Sequence, residues 1–214
     1  MPSPSVAANT EGLGVLGGTF DPIHLGHLII AERVREALQL SRVLFVPSAR
    51  PPHKLGDPVT DAHHRLRMTD LAVAPNAHFA ASRMELDRQG PSFTIETIRQ
   101  LRAQGHDSIA FIMGADSLLD LPKWRQPDDI LRECQVVAVA RPGFDAAHVA
   151  SALGPTRAAK VKLVEVPLIG ISSTDIRERV ATGRSIRYLV PEPVEEYIRG
   201  HSLYDREVGS ENDE

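Results

Sequence analysis

The sequence predicts an α/β protein with a single domain, in which a parallel β-sheet is covered by helices on both faces. Six apolar runs of strand length alternate with segments of helical periodicity, an order typical of a parallel sheet. In "RVLFVP", "IAFIMG" and "VVAVA" the apolar residues run together rather than alternate with polar ones, as expected of strands buried on both faces. Neither an internal repeat nor a linker divides the chain, which indicates one domain.

The individual elements follow from these runs in chain order. Strands are expected at residues 13–17, 42–47, 78–82, 108–113, 135–140 and 161–166. Helices are expected at residues 26–40, 61–74, 93–104, 128–133, 146–153, 173–182 and 193–200. Ligands of such open sheets bind beyond the carboxyl ends of the strands, so functional motifs should follow a strand or open a helix.

Charge and hydropathy exclude several classes of function. The formal net charge is −4, and the end of the chain at 205–214 contributes most of it, with five acidic residues against Arg206. The nearly neutral remainder lacks the basic surface of a nucleic-acid-binding protein, so we expect no nucleic acid partner. No apolar run approaches the ~20 residues of a membrane span, and the first residues do not resemble a secretory signal. We therefore expect a cytoplasmic protein with no membrane partner.

Cys134 is the only cysteine, which excludes an intrachain disulfide and a cysteine-based metal cluster. Its neighbourhood, "CQVVAVA", predicts a buried strand. We therefore interpret Cys134 as an inert core thiol rather than a nucleophile.

The stretch "GGTFDPIHLGH" follows the first predicted strand and leads into the first predicted helix. Gly17 and Gly18 let a backbone approach a ligand closely, and the N–H groups at the start of a helix favour an anion. His24 and His27 lie on the approach to that helix and on its first turn, where two imidazoles can point at one phosphate chain. The spacing therefore predicts a phosphate site.

A zinc site is the competing interpretation of these histidines. Zinc needs three or four protein ligands. The next histidines along the chain, His63 and His64, fall in a different predicted helix, so phosphate is favoured over zinc.

The segment "ISSTDIRERV" opens a later helix. Ser172 and Asp175 fit a capping box at its start. Arg177 is unusual, because a cation in the first turn opposes the helix dipole. Either Asp175 and Glu178 offset its charge or Arg177 meets an anion, to which Ser173 offers a hydroxyl and a backbone N–H.

Further candidates stand after strands or at helix starts, each with an ordinary structural alternative. Asp116 in "FIMGADSLLDLPKW" follows a buried strand, where it can accept hydrogen bonds from ribose hydroxyls or cap the next helix. Trp124, the only tryptophan, lies in a predicted loop, where its ring can stack on a flat heterocycle or join the core. Lys54 in "PPHK" fits a solvated loop lysine as well as a ligand contact, and Thr94 in "PSFTIETI" fits a helix cap.

Together these motifs resemble the bacterial nicotinate mononucleotide adenylyltransferases, members of the nucleotidylyltransferase superfamily with the T/H-x-G-H signature. The resemblance is carried by "GGTFDPIHLGH", "PPHK", "PSFTIETI", "GADSLLDLPKW", "ARPG", "ISSTDIRERV" and "RYLVPEPVEEYIRGHSLY", in the family's order. It implies a domain at 13–204, and we expect a disordered N-terminal tail at 1–12 and an acidic, disordered tail at 205–214.

The resemblance implies a Rossmann-like domain that joins ATP to nicotinate mononucleotide, giving nicotinate adenine dinucleotide and pyrophosphate. In such enzymes the residues that match His24, His27 and Arg177 hold the ATP phosphates and are catalytic. The remaining ATP-binding positions match Gly17, Gly18, Thr19, Phe20, Arg141, Ser172 and Ser173. The positions around the mononucleotide match Lys54, Thr94, Asp116 and Trp124, with Trp124 stacked on the pyridine ring.

We expect the acceptor phosphate to attack ATP in line, without a covalent enzyme intermediate, and Mg²⁺ to arrive with ATP rather than at a metal site of the protein. Phosphate beside His24 and His27 should favour the protonated imidazoles, which predicts a loss of activity at high pH. Two alternatives stay open: a sister enzyme whose acceptor is phosphopantetheine or nicotinamide mononucleotide, and a sensor that binds ATP without turnover. The sequence also leaves the oligomeric state open, a homo-oligomer included.

Overall fold

The computed structural model describes residues 12–49, 59–140 and 145–205. Two of the predicted ligand contacts, Lys54 and Arg141, lie outside these residues, as does nearly all of both predicted tails.

Six parallel strands form one sheet in the order β3-β2-β1-β4-β5-β6 within the described residues. Every predicted strand is present, at β1 Leu13–Gly18, β2 Arg42–Pro47, β3 Phe79–Ala81, β4 Ile109–Gly114, β5 Gln135–Ala140 and β6 Val161–Glu165. The prediction of a parallel α/β sheet is thus confirmed.

The seven predicted helices are also present, with ends that differ by a few residues. They are α1 Leu25–Leu38, α2 Ala62–Val73, α3 Thr94–Ala103, α5 Pro127–Glu133, α6 Ala146–Leu153, α8 Ser173–Ala181 and α9 Glu192–Gly200. Three short elements were not predicted: α4 Ala115–Leu119, a 3₁₀ turn at Leu121–Lys123 and α7 Pro155–Ala158. Elements of one turn are too short to show a helical period.

The sheet separates two apolar cores. Val15 and Phe111 point to one face and pack with α3, α4, α5 and α6. Leu16 and Ile112, the next residues of the same strands, point to the other face and pack with α1, α2, α8 and α9. Consecutive strand residues face opposite ways, so continuous apolar strands require helices on both faces, as the sequence predicts.

The order of the strands places a crevice beside β1. The chain runs outward from β1 to β2 and β3, and then returns to form β4 on the other side of β1. Ligands of doubly wound sheets bind at such a switch point, outside the carboxyl ends of the strands. The loop from β1 to α1 begins there. Within the described residues, no helix has the length and apolar character needed to cross a bilayer.

Candidate functional site

The loop that follows β1 is shaped by Gly18 and Phe20. Phe20 has a left-handed backbone with φ of 49°, and its ring folds back over Gly18. A Cβ at Gly18 would lie 2.9 Å from Phe20 Cε1, so this position requires glycine. Phe20 is only 2% exposed, so its ring is a buried support of the loop.

His24 and His27 stack at the start of α1. Their ring centroids are 3.7 Å apart with an interplanar angle of 25°, and Phe20 packs edge-on against His27 at 5.0 Å. A Cβ at Gly26 would lie 3.0 Å from His24 Nδ1, so Gly26 lets the His24 ring lie against the first turn. The two histidines therefore share one location, as the spacing predicts.

One hydrogen bond fixes the tautomer of His27. The backbone N–H of His24 donates to His27 Nδ1 over 3.2 Å, so this nitrogen is the unprotonated acceptor. The proton of the neutral ring is then on Nε2, which becomes a hydrogen-bond donor. His24 Nδ1, in contrast, is buried and finds no hydrogen-bond partner among the residues that the structure describes.

Burial keeps both imidazoles neutral. It lowers the pKa of His24 to about 4. It also lowers the pKa of His27 well below the ordinary value, with a further contribution from the His24 charge. Desolvation in the protein without bound phosphate thus opposes the protonation that a neighbouring phosphate is expected to favour.

The start of α8 meets the β1–α1 loop. Ser173 Oγ donates to the carbonyl of Pro22 over 2.9 Å, and Arg177 Nη1 donates to the carbonyl of Asp21 over 2.7 Å. Ser172 is the N-cap of α8, and its Oγ accepts from the Asp175 N–H over 3.1 Å. The amino ends of α1 and α8 thus lie side by side, although about 150 residues separate them in sequence.

Arg177 has no carboxylate partner among the described residues. Asp175 pairs with Arg179 at 2.8 Å, and Glu178 pairs with Arg184 at 3.2 Å. Neither acid therefore offsets the guanidinium of Arg177, the fifth residue of α8. The contact of Arg177 with an anion stays a prediction.

A cavity of about 360 Å³ borders the end of β1 and the loop that follows it. Its lining includes Gly17, Gly18 and Thr19, and also Thr94 and Trp124. The loop after β1 therefore faces both the cavity and the paired helix starts. Asp116 is exposed in the first turn of α4 and is not part of this lining, although its neighbour Ser117 is.

Trp124 and its neighbour Arg125 connect the cavity lining to β4 and to the start of α3. Trp124 is half-buried at the end of the 3₁₀ turn and contacts the edge of Phe111, with ring centroids 6.3 Å apart. The next residue, Arg125, lies 4.6 Å above the Phe93 ring and pairs with Glu96 at 3.3 Å. An aromatic ring thus lines the cavity opposite the start of α3.

Two buried charged residues of the site, Glu85 and Arg65, were not predicted from the sequence. Glu85 lines the cavity, is 8% exposed and accepts a hydrogen bond from the Thr97 hydroxyl at 2.6 Å. Burial raises the pKa of the Glu85 carboxyl. Arg65 is 1% exposed and contacts the backbone behind the loop. The available signal for Arg65 was its position three residues before Met68, on the apolar face of the predicted helix.

The structure also bears on two other interpretations of the sequence, that of Cys134 as an inert thiol and that of a zinc site. Cys134 ends α5, its thiol lies 3.3 Å from the Ile130 carbonyl, and burial raises its pKa to about 12. This agrees with an inert thiol. Among the described residues, no group of three or more His, Cys, Asp or Glu side chains could hold a metal ion.

Comparison with known proteins identifies the family of this chain. The model of the cytidylyltransferase-like family matches residues 15–179. Two relatives, from Thermomicrobium roseum and Moorella thermoacetica, are 50% and 47% identical to this chain; each alignment covers 90% of this chain and 91% of the relative. Both are named "probable nicotinate-nucleotide adenylyltransferase".

The chain belongs to the cytidylyltransferase-like family, among the nicotinate-nucleotide adenylyltransferases. The family resemblance predicted from the motifs is therefore confirmed. A structure of the Plasmodium falciparum nicotinic acid mononucleotide adenylyltransferase complexed with NaAD superposes with a TM-score of 0.70 at 16% identity. It covers 91% of this chain and 97% of the other, and at that identity it shows that the family fold is shared.

Proposed function

We propose that the protein transfers the adenylyl group of ATP to nicotinate mononucleotide, giving nicotinate adenine dinucleotide and pyrophosphate in NAD biosynthesis. The relatives that are 47% and 50% identical carry the name of this activity. The fold neighbour from Plasmodium falciparum has structures in complex with NaAD and with APC, which is consistent with nucleotide substrates for this fold.

The observation that carries the proposal is the meeting of two helix starts at one loop. Ser173 and Arg177 hold the carbonyls of Pro22 and Asp21, immediately before the His24 cap of α1. Helix N-termini favour anions because their first N–H groups lack partners within the helix and their dipoles point the positive end outward, although in α1 the Leu25 N–H donates to the Leu189 carbonyl. Two such termini, two imidazoles and an arginine without a carboxylate partner among the described residues suit a triphosphate.

The reaction requires two polyanions to approach each other. In our proposal an oxygen of the acceptor phosphate attacks the α-phosphorus of ATP, and a bond forms between them. The bond from the α-phosphorus to the bridging oxygen breaks at the same step, and pyrophosphate leaves with its electrons. The attacking phosphate is already an anion, so no covalent enzyme intermediate is needed. Catalysis then consists of positioning and charge stabilisation.

The neutral imidazoles act as fixed hydrogen-bond donors in this proposal. His27 Nδ1 is occupied by the His24 N–H, so His27 donates through Nε2 to a phosphate oxygen. Arg177 supplies the permanent positive charge, which burial does not remove. Mg²⁺ enters as part of the ATP substrate, where it neutralises charge on the triphosphate oxygens.

We assign the acceptor to the cavity beside the loop. The face of Trp124 suits the pyridine ring, since aromatic rings stack on flat heterocycles. Thr94 opens α3, whose first N–H groups suit the nicotinate carboxylate. The shared loop Gly17–Thr19 would then bring the acceptor phosphate next to the triphosphate.

Pyrophosphate release tests the proposal. The purified protein is incubated with Mg²⁺ and ATP, and with nicotinate mononucleotide, nicotinamide mononucleotide or phosphopantetheine in turn. We expect release with nicotinate mononucleotide and the matching dinucleotide product by mass spectrometry. Preferential use of phosphopantetheine would replace the acceptor assignment. ATP binding without release from any acceptor would indicate a sensor and refute the transfer.

A further inference from the structure

Arg65 stands out because its guanidinium is buried against backbone carbonyls rather than against a carboxylate. It lies in the first turn of α2 and is 1% exposed. Nε donates to the carbonyl of Thr60 at 2.8 Å, and Nη1 donates to the carbonyls of Thr19 and Ser48 at 2.7 and 2.8 Å. Nη2 is 3.4 Å from the carbonyl of Ala49. One side chain thus holds the ends of β1 and β2.

Volume alone does not account for an arginine at this position. Arg65 forms no ion pair with the carboxylates of the described chain, and burial lowers the pKa of its guanidinium. Asp21, whose negative charge acts most strongly on Arg65, has its carboxylate oxygens engaged by the Tyr204 hydroxyl and the Thr60 N–H. A buried charge is costly unless its hydrogen bonds are satisfied; here backbone carbonyls satisfy them, so the function of Arg65 lies in these hydrogen bonds rather than in its volume.

The carbonyls that Arg65 and its neighbour Ser48 hold belong to the loop that lines the site. The Gly18 carbonyl accepts from the Ser48 N–H at 2.9 Å, and the Thr19 carbonyl accepts from Arg65. In a planar trans peptide the C=O and the following N–H point in opposite directions. The N–H of Phe20 is therefore turned away from Arg65, and the N–H of Thr19 is turned away from Ser48, whose own carbonyl Arg65 holds. Neither donates to an acceptor within the described part of the chain.

We infer that Arg65 is a positioning residue for the transfer reaction: it fixes the peptide planes at Thr19 and Phe20 so that their N–H groups face bound phosphate. This inference rests on the proposed function. Arg65 also joins the loop to the acceptor side, because the N–H of Ala49 donates to Ser92 Oγ at 3.1 Å and Ser92 lines the cavity. One buried guanidinium therefore sets the position of the loop between the two substrates.

Two substitutions of Arg65 and two control substitutions on α2 test this role. Arg65→Met keeps the volume and removes every donor, whereas Arg65→Lys keeps the charge but not the planar set of donors. Met68→Ala, in the same apolar core and fully buried, is the control for loss of stability. Arg67→Met on the exposed side of α2 is the control for loss of a positive charge.

We expect kcat of Arg65→Met to fall about 100-fold, since a small misplacement of a positioning group can cost that much. The Arg65→Lys variant should lose about tenfold, and both controls should stay within about threefold of wild type at a temperature where all are folded by circular dichroism. Isothermal titration with pyrophosphate should show the same order of affinities. Guanidinium chloride at a non-denaturing concentration should partly restore an Arg65→Ala variant, whereas NaCl of equal ionic strength should not.

The outcomes separate this inference from the proposed function. A wild-type protein that releases no pyrophosphate refutes the function, while the pyrophosphate titration still reports on the loop. If Arg65→Met keeps kcat and pyrophosphate affinity within about threefold of the Met68→Ala control, the positioning role is refuted. If both Arg65→Met and Arg65→Lys are unfolded, the residue serves the fold as a whole and the inference is also overturned.

Discussion

The most direct test of the site uses two substitutions of His27, each of which keeps the hydrogen-bonding function of only one of the two ring nitrogens. Nδ1 accepts from the His24 N–H, and only Nε2 remains to donate to phosphate. Asn at this position places an oxygen near the site of Nδ1 and nothing at Nε2. Gln, one methylene longer, can place its amide N–H near Nε2. His27→Asn therefore removes the proposed ligand donor and keeps the cap, and His27→Gln keeps the donor.

The size of the expected effect follows from the loss of one preorganised donor in a desolvated site. Burial around His27 is deep enough to lower its pKa well below the ordinary value, so water cannot fully replace the missing N–H. Removing one such donor costs about 10²–10³ in kcat, or about 2.7–4 kcal/mol. We expect His27→Asn to lose that much and His27→Gln to lose clearly less. Unfolding should be little affected in His27→Asn, because the cap of α1 is retained.

The assay is steady-state pyrophosphate release with ATP and nicotinate mononucleotide at saturation, with urea unfolding as the check on folding. If a folded His27→Asn variant turns over within about threefold of wild type, the assignment of His27 as a transition-state donor is refuted. Equal losses in both variants would instead indicate that the ring itself, through its stacking on His24 and Phe20, is what the site requires.

The pH profile provides a second test of the same reasoning. The kcat/KM profile reports ionisation in the free protein, where His27 is already neutral because burial lowers its pKa. Between about pH 7 and about pH 9 this group should cause no decline in kcat/KM. A decline that disappears in His27→Gln would show that the protonated ring is the active form.

Three further predictions concern the acceptor cavity, the phosphate side and stability. Trp124→Ala should raise KM for nicotinate mononucleotide about 10-fold or more and leave KM for ATP nearly unchanged, since stacking contributes ~1–3 kcal/mol. Trp124→Phe should stay close to wild type. Initial rates at varied substrate concentrations measure both KM values, and equal changes in the two would contradict the assignment. Arg177→Met should lower kcat by about 10² and weaken pyrophosphate binding in titrations, whereas the exposed control Arg184→Met should not; a folded Arg177→Met variant with wild-type affinity would remove Arg177 from the site. Burial raises the Glu85 pKa above its ordinary 4.5, so the folded protein binds more protons than the unfolded chain in that window and unfolding free energy falls as pH rises through it. Glu85→Gln should flatten this dependence in urea unfolding from pH 4.5 upward, and an unchanged slope would show that another group is responsible.

Much of the fold and part of the site follow from local sequence. Continuous apolar runs such as "RVLFVP" identify strands buried on both faces, and this local signal placed all six within a few residues of their observed ends. His24 and His27 could be placed at a helix start because three residues make one turn. The family itself followed from the order of the motifs.

Only the tertiary structure determined which residues are buried and which residues distant in sequence are in contact. Arg177 donates to a carbonyl 156 positions away, and no local pattern specifies such a pairing. The burial that lowers the pKa of His24 and His27 was likewise not evident from the sequence, since desolvation depends on every element packed around a group. Arg65 and Glu85 read as ordinary polar residues in the sequence, because only the packed chain shows which backbone carbonyls and hydroxyls surround them.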